Sequence, residues 1–172
     1  MRIGMIASML VLAFAVSGCV GTHTIPFSDA DFSAYVGNGP ATVDGAAVGR
    51  TQGGEAKTCA GYPVYLAPAT AYDAEGISNL NMMAAVNLAA GPAIKYWRQS
   101  ACDAEGRFSF DQVPDGSWYV ITSIKYQVYA PTLGNVQATE SQGGLLVKKI
   151  ALHRGKNHVI LTSQDIQTGL PF

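Results

Sequence analysis

Asp103-Ala104-Glu105-Gly106-Arg107-Phe108-Ser109-Phe110, then Val113-Pro114-Asp115-Gly116-Ser117-Trp118-Tyr119-Val120, is the stretch that decides the fold class. Asp and Gly close a tight turn, after which Phe108 and Phe110 alternate with polar residues and share one strand face. Pro114 and Gly116 suit turn dihedrals, so the chain reverses again. Residues 117–129 are rich in aromatic and β-branched side chains and read as a long strand. Alternation places Trp118, Val120, Thr122 and Ile124 on one face, with Tyr119 and Ile121 opposite. Trp118 is expected in the core, and Tyr119 and Ile121 beneath a covering element.

The same rhythm extends outward in both directions. Residues 41–51 form a candidate first strand interrupted by Gly45 and Gly49, and Gln52-Gly53-Gly54 turns the chain. Tyr62-Pro63-Val64-Tyr65-Leu66 alternates, with Pro63 at a strand start where a missing donor is tolerated. Residues 95–102 read as a further strand. Near the end, 144–152 and 157–162 flank His153-Arg154-Gly155-Lys156 as a hairpin. One segment breaks the pattern. Residues 74–90 hold helix formers between Asp73 and Gly91-Pro92, which predicts one inserted α-helix. Its polar residues, Ser78, Asn79, Asn81 and Asn87, do not gather on one face. Such a helix lies either against a sheet or against something outside the chain. Ile77, Leu80, Met83 and Val86 are its candidate partner contacts.

Composition agrees with a β protein. Charged residues are 13% and hydrophobic residues 48% of the 172, with 19 glycines. A disordered chain would be poorer in apolar residues and richer in charge. The formal net charge is −1 and no basic run occurs, so no nucleic-acid partner is expected.

Gly61 to Leu66, Asp103 to Phe110 and Val113 to Val120, in that order, resemble the carboxypeptidase regulatory-like domain. The resemblance spans most of residues 41–162 and implies an antiparallel β-sandwich of the transthyretin-like (prealbumin-like) type. The helix and roughly 30 residues between Leu66 and Asp103 depart from that family's pattern. The motifs are turns and strands, and they carry no activity with them.

The N-terminus has its own signature. Met1-Arg2-Ile3 is followed by an apolar stretch too short for a spanning helix, then Val16-Ser17-Gly18-Cys19. This resembles the bacterial lipobox. The resemblance implies a signal peptide over residues 1–18 and a covalent lipid on Cys19, and no other cofactor is expected. Val20, not Asp, follows the cysteine, which by analogy favours the outer membrane. Residues 19–40 are then a tether and 41–172 the domain. The tether's aromatics predict packing of residues 32–36 on the domain.

Few residues suggest chemistry. Cys59 and Cys102 remain after lipidation, and the exported context favours a disulfide over two separate thiols. His23, His153 and His158 lack carboxylate company and read as turn residues, not metal ligands. Asp103, Glu105, Asp111 and Asp115 are placed around two turns at one end of a sheet and read as solvated. No Gly-x-Ser-x-Gly elbow occurs. Tyr62, Tyr65, Tyr72, Tyr96, Trp97, Trp118, Tyr119, Tyr126 and Tyr129 are expected to serve core or helix packing before any binding platform. The favoured function is a non-catalytic, membrane-anchored binding or structural module of the envelope with a protein partner. The alternative is a periplasmic hydrolase or its accessory domain, with turn carboxylates converging on His153 or His158.

Overall fold

The computed structural model describes residues 23–51, 53–80, 90–130 and 138–167. Cys19 therefore lies outside the described residues, as do Met83 and Val86. The strands are β1 (Ala41–Arg50), β2 (Ala56–Thr58), β3 (Pro63–Pro68), β4 (Arg98–Ala101), β5 (Arg107–Val113), β6 (Gly116–Ala130), β7 (Ala138–Leu152) and β8 (Gly155–Thr162). They make two four-stranded sheets.

In the first sheet, β1 is central. β5 pairs antiparallel with Ala41–Ala46 and β2 with Val48–Arg50, end to end along the same edge. On its other edge β1 pairs with β8 in parallel, Ala41 opposite Gly155 and Val48 opposite Thr162. The sandwich is thus not wholly antiparallel. The chain enters β1 and leaves through β8 in the same direction, because the β7–β8 hairpin begins in the other sheet. That second sheet runs β4–β3–β6–β7 and is antiparallel throughout.

The inner faces of the two sheets meet in one core. Val43, Ala47, Phe108, Phe110, Val159 and Leu161 face Val64, Leu66, Trp118, Val120, Ile124 and Leu146. Trp118 is fully buried, and its indole N–H donates to the Pro114 carbonyl at 3.1 Å. Each apolar group of this kind contributes about 1.5–3 kcal/mol on burial. Cys59 and Cys102 are joined in a disulfide, with Cα atoms 5.8 Å apart. It ties the segment before β3 to the end of β4.

The helical segment starts earlier than its sequence reading and breaks at Asn79 and Leu80, while Ala90, its expected last residue, is helical. Helix α1 spans Ala71–Ser78, not 74–90. Thr70 caps it by accepting the Asp73 N–H at 3.1 Å, so Asp73 lies inside the first turn. Asn79 ends it, and residues 81–89 are outside the described set. Gly91–Tyr96 is a 3₁₀ helix, which removes Lys95 and Tyr96 from the strand expected over 95–102. Pro92 favours that helical start, and Tyr96 stacks on Phe32 with ring centroids 4.5 Å apart. Helix α1 covers the outer face of the second sheet. Ile77 and Leu80 are buried there with Ala67, Ile121 and Leu145, and Tyr119 packs beside them. Tyr119 and Ile121 therefore do lie under the helix. Ile77 and Leu80 are not partner contacts, because the sheet already covers their apolar surface.

Residues before β1 also pack on this structure. Asp29–Tyr35 forms a 3₁₀ helix that buries Phe32 against Tyr72 and Ala93. Tyr35 meets the Trp118 ring edge-on at 5.0 Å. Val36, expected to pack with them, stays 60% exposed, because it follows the helix and starts the turn into β1.

Candidate functional site

Strands β6 and β7 are much longer than their neighbours, and this mismatch creates the site. β3 pairs with β6 only over Trp118–Ile121, whereas β6 and β7 stay in register to Ala130 and Ala138. Past Ser123 the sheet continues as a two-stranded ribbon beyond the end of β1. The alternation that puts Trp118, Val120 and Ile124 inside also turns Tyr126 inward. There the first sheet covers it only in part: Tyr126 packs against the edge of the core, Lys57 of β2 lies over its ring, and it stays half-buried.

A pocket of ≈ 200 Å³ opens at this step, lined by Gly49, Arg50, Ile124, Tyr126, Gln142, Gly143, Leu146, Ser163 and Ile166. Ile124, Leu146 and Ile166 form an apolar floor continuous with the core. Gly144 permits this closure. A Cβ there would sit 2.8 Å from Ile166 Cγ2, and Ile166 bridges to Leu146 from that position.

The rim is polar. The Arg50 backbone N–H donates to Ser163 Oγ at 3.0 Å, which closes the end of β1 onto the 3₁₀ turn Ser163–Asp165. The Arg50 guanidinium donates to the Gly54 carbonyl at 3.1 Å and otherwise faces solvent. Lys57 Nζ lies 5.8 Å from the centroid of the Tyr126 ring. Beyond Arg50 and Ser163, a more open groove of ≈ 570 Å³ continues over Val48, Thr162 and Gln164. One aromatic wall, an apolar floor and a rim of guanidinium, amide and hydroxyl can hold a small ligand that has both an apolar face and several hydroxyls.

No family model matches this chain, and no curated protein does. Among solved structures, the chain is similar to a crystal structure of a proposed carbohydrate-binding protein from Pseudomonas aeruginosa. The two share 22% identity and a TM-score of 0.64, over 79% of this chain and 97% of that one. The likeness is one of fold.

The residues singled out in the sequence fall mostly elsewhere. Asp103 accepts backbone N–H bonds from Glu105 at 3.0 Å and Arg107 at 2.7 Å and pairs with the Arg107 guanidinium at 2.9 Å. Those bonds, the Arg107 N–H first, hold its carboxyl below the usual range. Asp103 and Glu105 precede β5 while Asp115 follows it, so the two turns lie at opposite ends of one strand. Their separation, about 20 Å at a normal strand rise, contradicts a single acidic cluster. His153 and His158 are both exposed, and Asn157 between them ties the hairpin through bonds to the His153, Gly155 and Thr42 carbonyls. On the outer face of the first sheet, Asp44 sits between Ser109 and His158. Hydroxyl and imidazole are thus two strands, about 10 Å, apart, the wrong order for a nucleophile and its base. Among the described residues no three His, Cys, Asp or Glu side chains gather as a metal site.

Of the pocket's residues only Tyr126 was weighed in the sequence for binding, as one aromatic among nine, while Gly49 and Ile124 were read as strand residues alone. Arg50, Gln142, Ser163 and Ile166 carry no motif. The usable signal was the excess length of the 117–129 strand over its neighbours.

Proposed function

We propose that this chain is a lipid-anchored, non-catalytic binding module of the bacterial envelope, with the pocket at the base of the β6–β7 ribbon as its binding site. The observation that carries the reading is Tyr126: an inward-facing, half-buried aromatic ring at the end of the first sheet that lines the pocket with an apolar floor and with Arg50, Gln142 and Ser163. Sugar rings offer such a site an apolar C–H face for the aromatic ring and hydroxyls for the rim. The pocket is smaller than the roughly 300–1,000 Å³ typical of drug-sized ligands, which suits one ring, and the adjoining groove suits a second. The proposed carbohydrate-binding role of the Pseudomonas protein supports the same ligand class.

The two-sheet architecture and the order of the turn motifs support reading the domain as transthyretin-like, of the carboxypeptidase regulatory-like kind. Val16-Ser17-Gly18-Cys19 supports removal of residues 1–18 and lipidation of Cys19, with the outer membrane as the favoured location. An envelope protein partner would then meet a module already held at the membrane.

Titration of isotopically labelled protein with a panel of neutral mono- and oligosaccharides tests the reading. Backbone amide signals of Arg50, Tyr126 and Gln142 should shift saturably. Tyr126→Ala should weaken binding about tenfold, the size of a lost aromatic contact of roughly 1.4 kcal/mol. Unmoved pocket signals at saturating sugar, or equal affinity in the variant, would refute it.

A further inference from the structure

The first described residues are clamped across helix α1. One carboxylate, Glu75, accepts the Thr24 N–H at 2.9 Å and the Ile25 N–H at 3.0 Å, and the Thr24 hydroxyl as well. Those bonds, the Thr24 hydroxyl first, hold the Glu75 pKa down at about 2, so the clamp persists across the physiological range. His23 stacks on Tyr72 with centroids 4.1 Å apart and planes 9° from parallel, and its Nδ1 lies 3.5 Å from Glu75. Phe27 continues the attachment against Phe32 and Tyr72. A flexible tether would show none of these contacts.

His23 lies four residues after Cys19. Four Cα–Cα steps span at most about 14 Å. We propose that the face formed by α1, the 23–27 segment and the 3₁₀ helix Gly91–Tyr96 rests on the bilayer surface, so that the domain is held in one orientation and not swung on a leash. The inference rests on the lipid-anchor reading of Cys19. The surface fits a headgroup layer: Ile94 is 38% exposed, Pro26 and Pro92 are exposed, and Lys95, paired with Asp29 at 2.6 Å, lies over the Phe27 and Tyr96 rings. The opposite face, carrying Asp44, Ser109 and His158 on the first sheet, then points away from the membrane. It lies beyond two sheet layers, roughly 20 Å from α1.

The test uses lipidated protein carrying a spin label at Ile94→Cys or Ser109→Cys, bound to vesicles of phosphatidylethanolamine and phosphatidylglycerol doped with a nickel-chelating lipid. Strong relaxation enhancement is expected at 94 and a near-baseline value at 109. A flexible Gly-Ser linker inserted after Thr22 should abolish the enhancement at 94 while leaving membrane recovery unchanged. Equal enhancement at both sites in vesicle-bound protein would overturn the orientation while leaving the anchor standing. Protein that fails to sediment with vesicles, or a Cys19→Ser variant that sediments as well as the parent, would overturn the anchor reading and the orientation with it. Concentration-dependent immobilisation at 94 in lipid-free protein would assign the face to a second copy and also overturn the proposal.

Discussion

Replacing both Cys59 and Cys102 by alanine opens the covalent loop that encloses β3, α1, the Gly91–Tyr96 helix and β4. The bridge spans 43 residues of sequence. In the chain-entropy argument a loop of that length restricts the unfolded chain by about 4 kcal/mol at 25 °C. Total stabilities of single domains run about 5–15 kcal/mol, so the loss is a large share of the whole. For a chain of this size each kcal/mol moves the melting temperature by about 2–4 °C, which predicts a fall of about 8–16 °C. Both sulfurs sit in the core, with Cys59 fully buried and Cys102 nearly so, so the small cavities left by alanine add to the loss. Thermal and urea unfolding of the variant, and of the parent with and without reductant, measure it. Hydrogen exchange locates it: residues 60–101 should lose protection first, because their attachment to the core then rests on the β3–β6 pairing and the packing under α1. A loss below about 1 kcal/mol, or protection lost evenly over both sheets, would refute the reasoning.

Stability should also depend on pH through two neighbours on α1. Burial pushes the Asp73 pKa up to about 6 from an ordinary 3.8, against opposing bonds from the Trp97 N–H at 2.9 Å and the Thr70 hydroxyl. Between those values the folded state holds a proton that the unfolded chain has released, so stability falls by about 2 kcal/mol as pH rises from 4 to 7. Asp73→Asn should flatten that slope in urea titrations, and parallel pH curves for variant and parent would disprove it. Glu75 acts with the opposite sign, its contribution present above about pH 4.5 and lost as pH falls towards 2. Glu75→Ala should therefore raise hydrogen exchange over residues 23–27 at neutral pH while the sheets keep their protection. Gly45→Ala should cost about 1–3 kcal/mol in urea unfolding, since a Cβ there meets Phe108 Cζ at 2.2 Å and the Val159 carbonyl at 2.9 Å inside the core. Cys19→Ser should lower the mass of the exported protein by its lipid and shift it from the detergent to the aqueous phase. An unaltered mass and partition would end the anchor reading.

Alternation along 107–110 and 117–124 and the Asp103–Gly106 and Val113–Gly116 turns were enough to read a β-rich core with Trp118 inside and Tyr119 beneath a helix. Those features are local: side-chain period and turn dihedrals depend on neighbours a few residues away. The helix boundaries were less legible, because Thr70 caps α1 through a bond to Asp73 that competes with a plausible start three residues later. Three things needed the folded molecule. The parallel β1–β8 pairing joins residues more than a hundred apart. The clamp on residues 23–25 depends on Glu75, some 50 residues on. The pocket gathers Arg50, Tyr126, Gln142 and Ser163 only because one sheet ends before the other. The pattern of a strand tells which face is apolar, but which strand ends first, and what is left uncovered there, depends on how distant segments are paired.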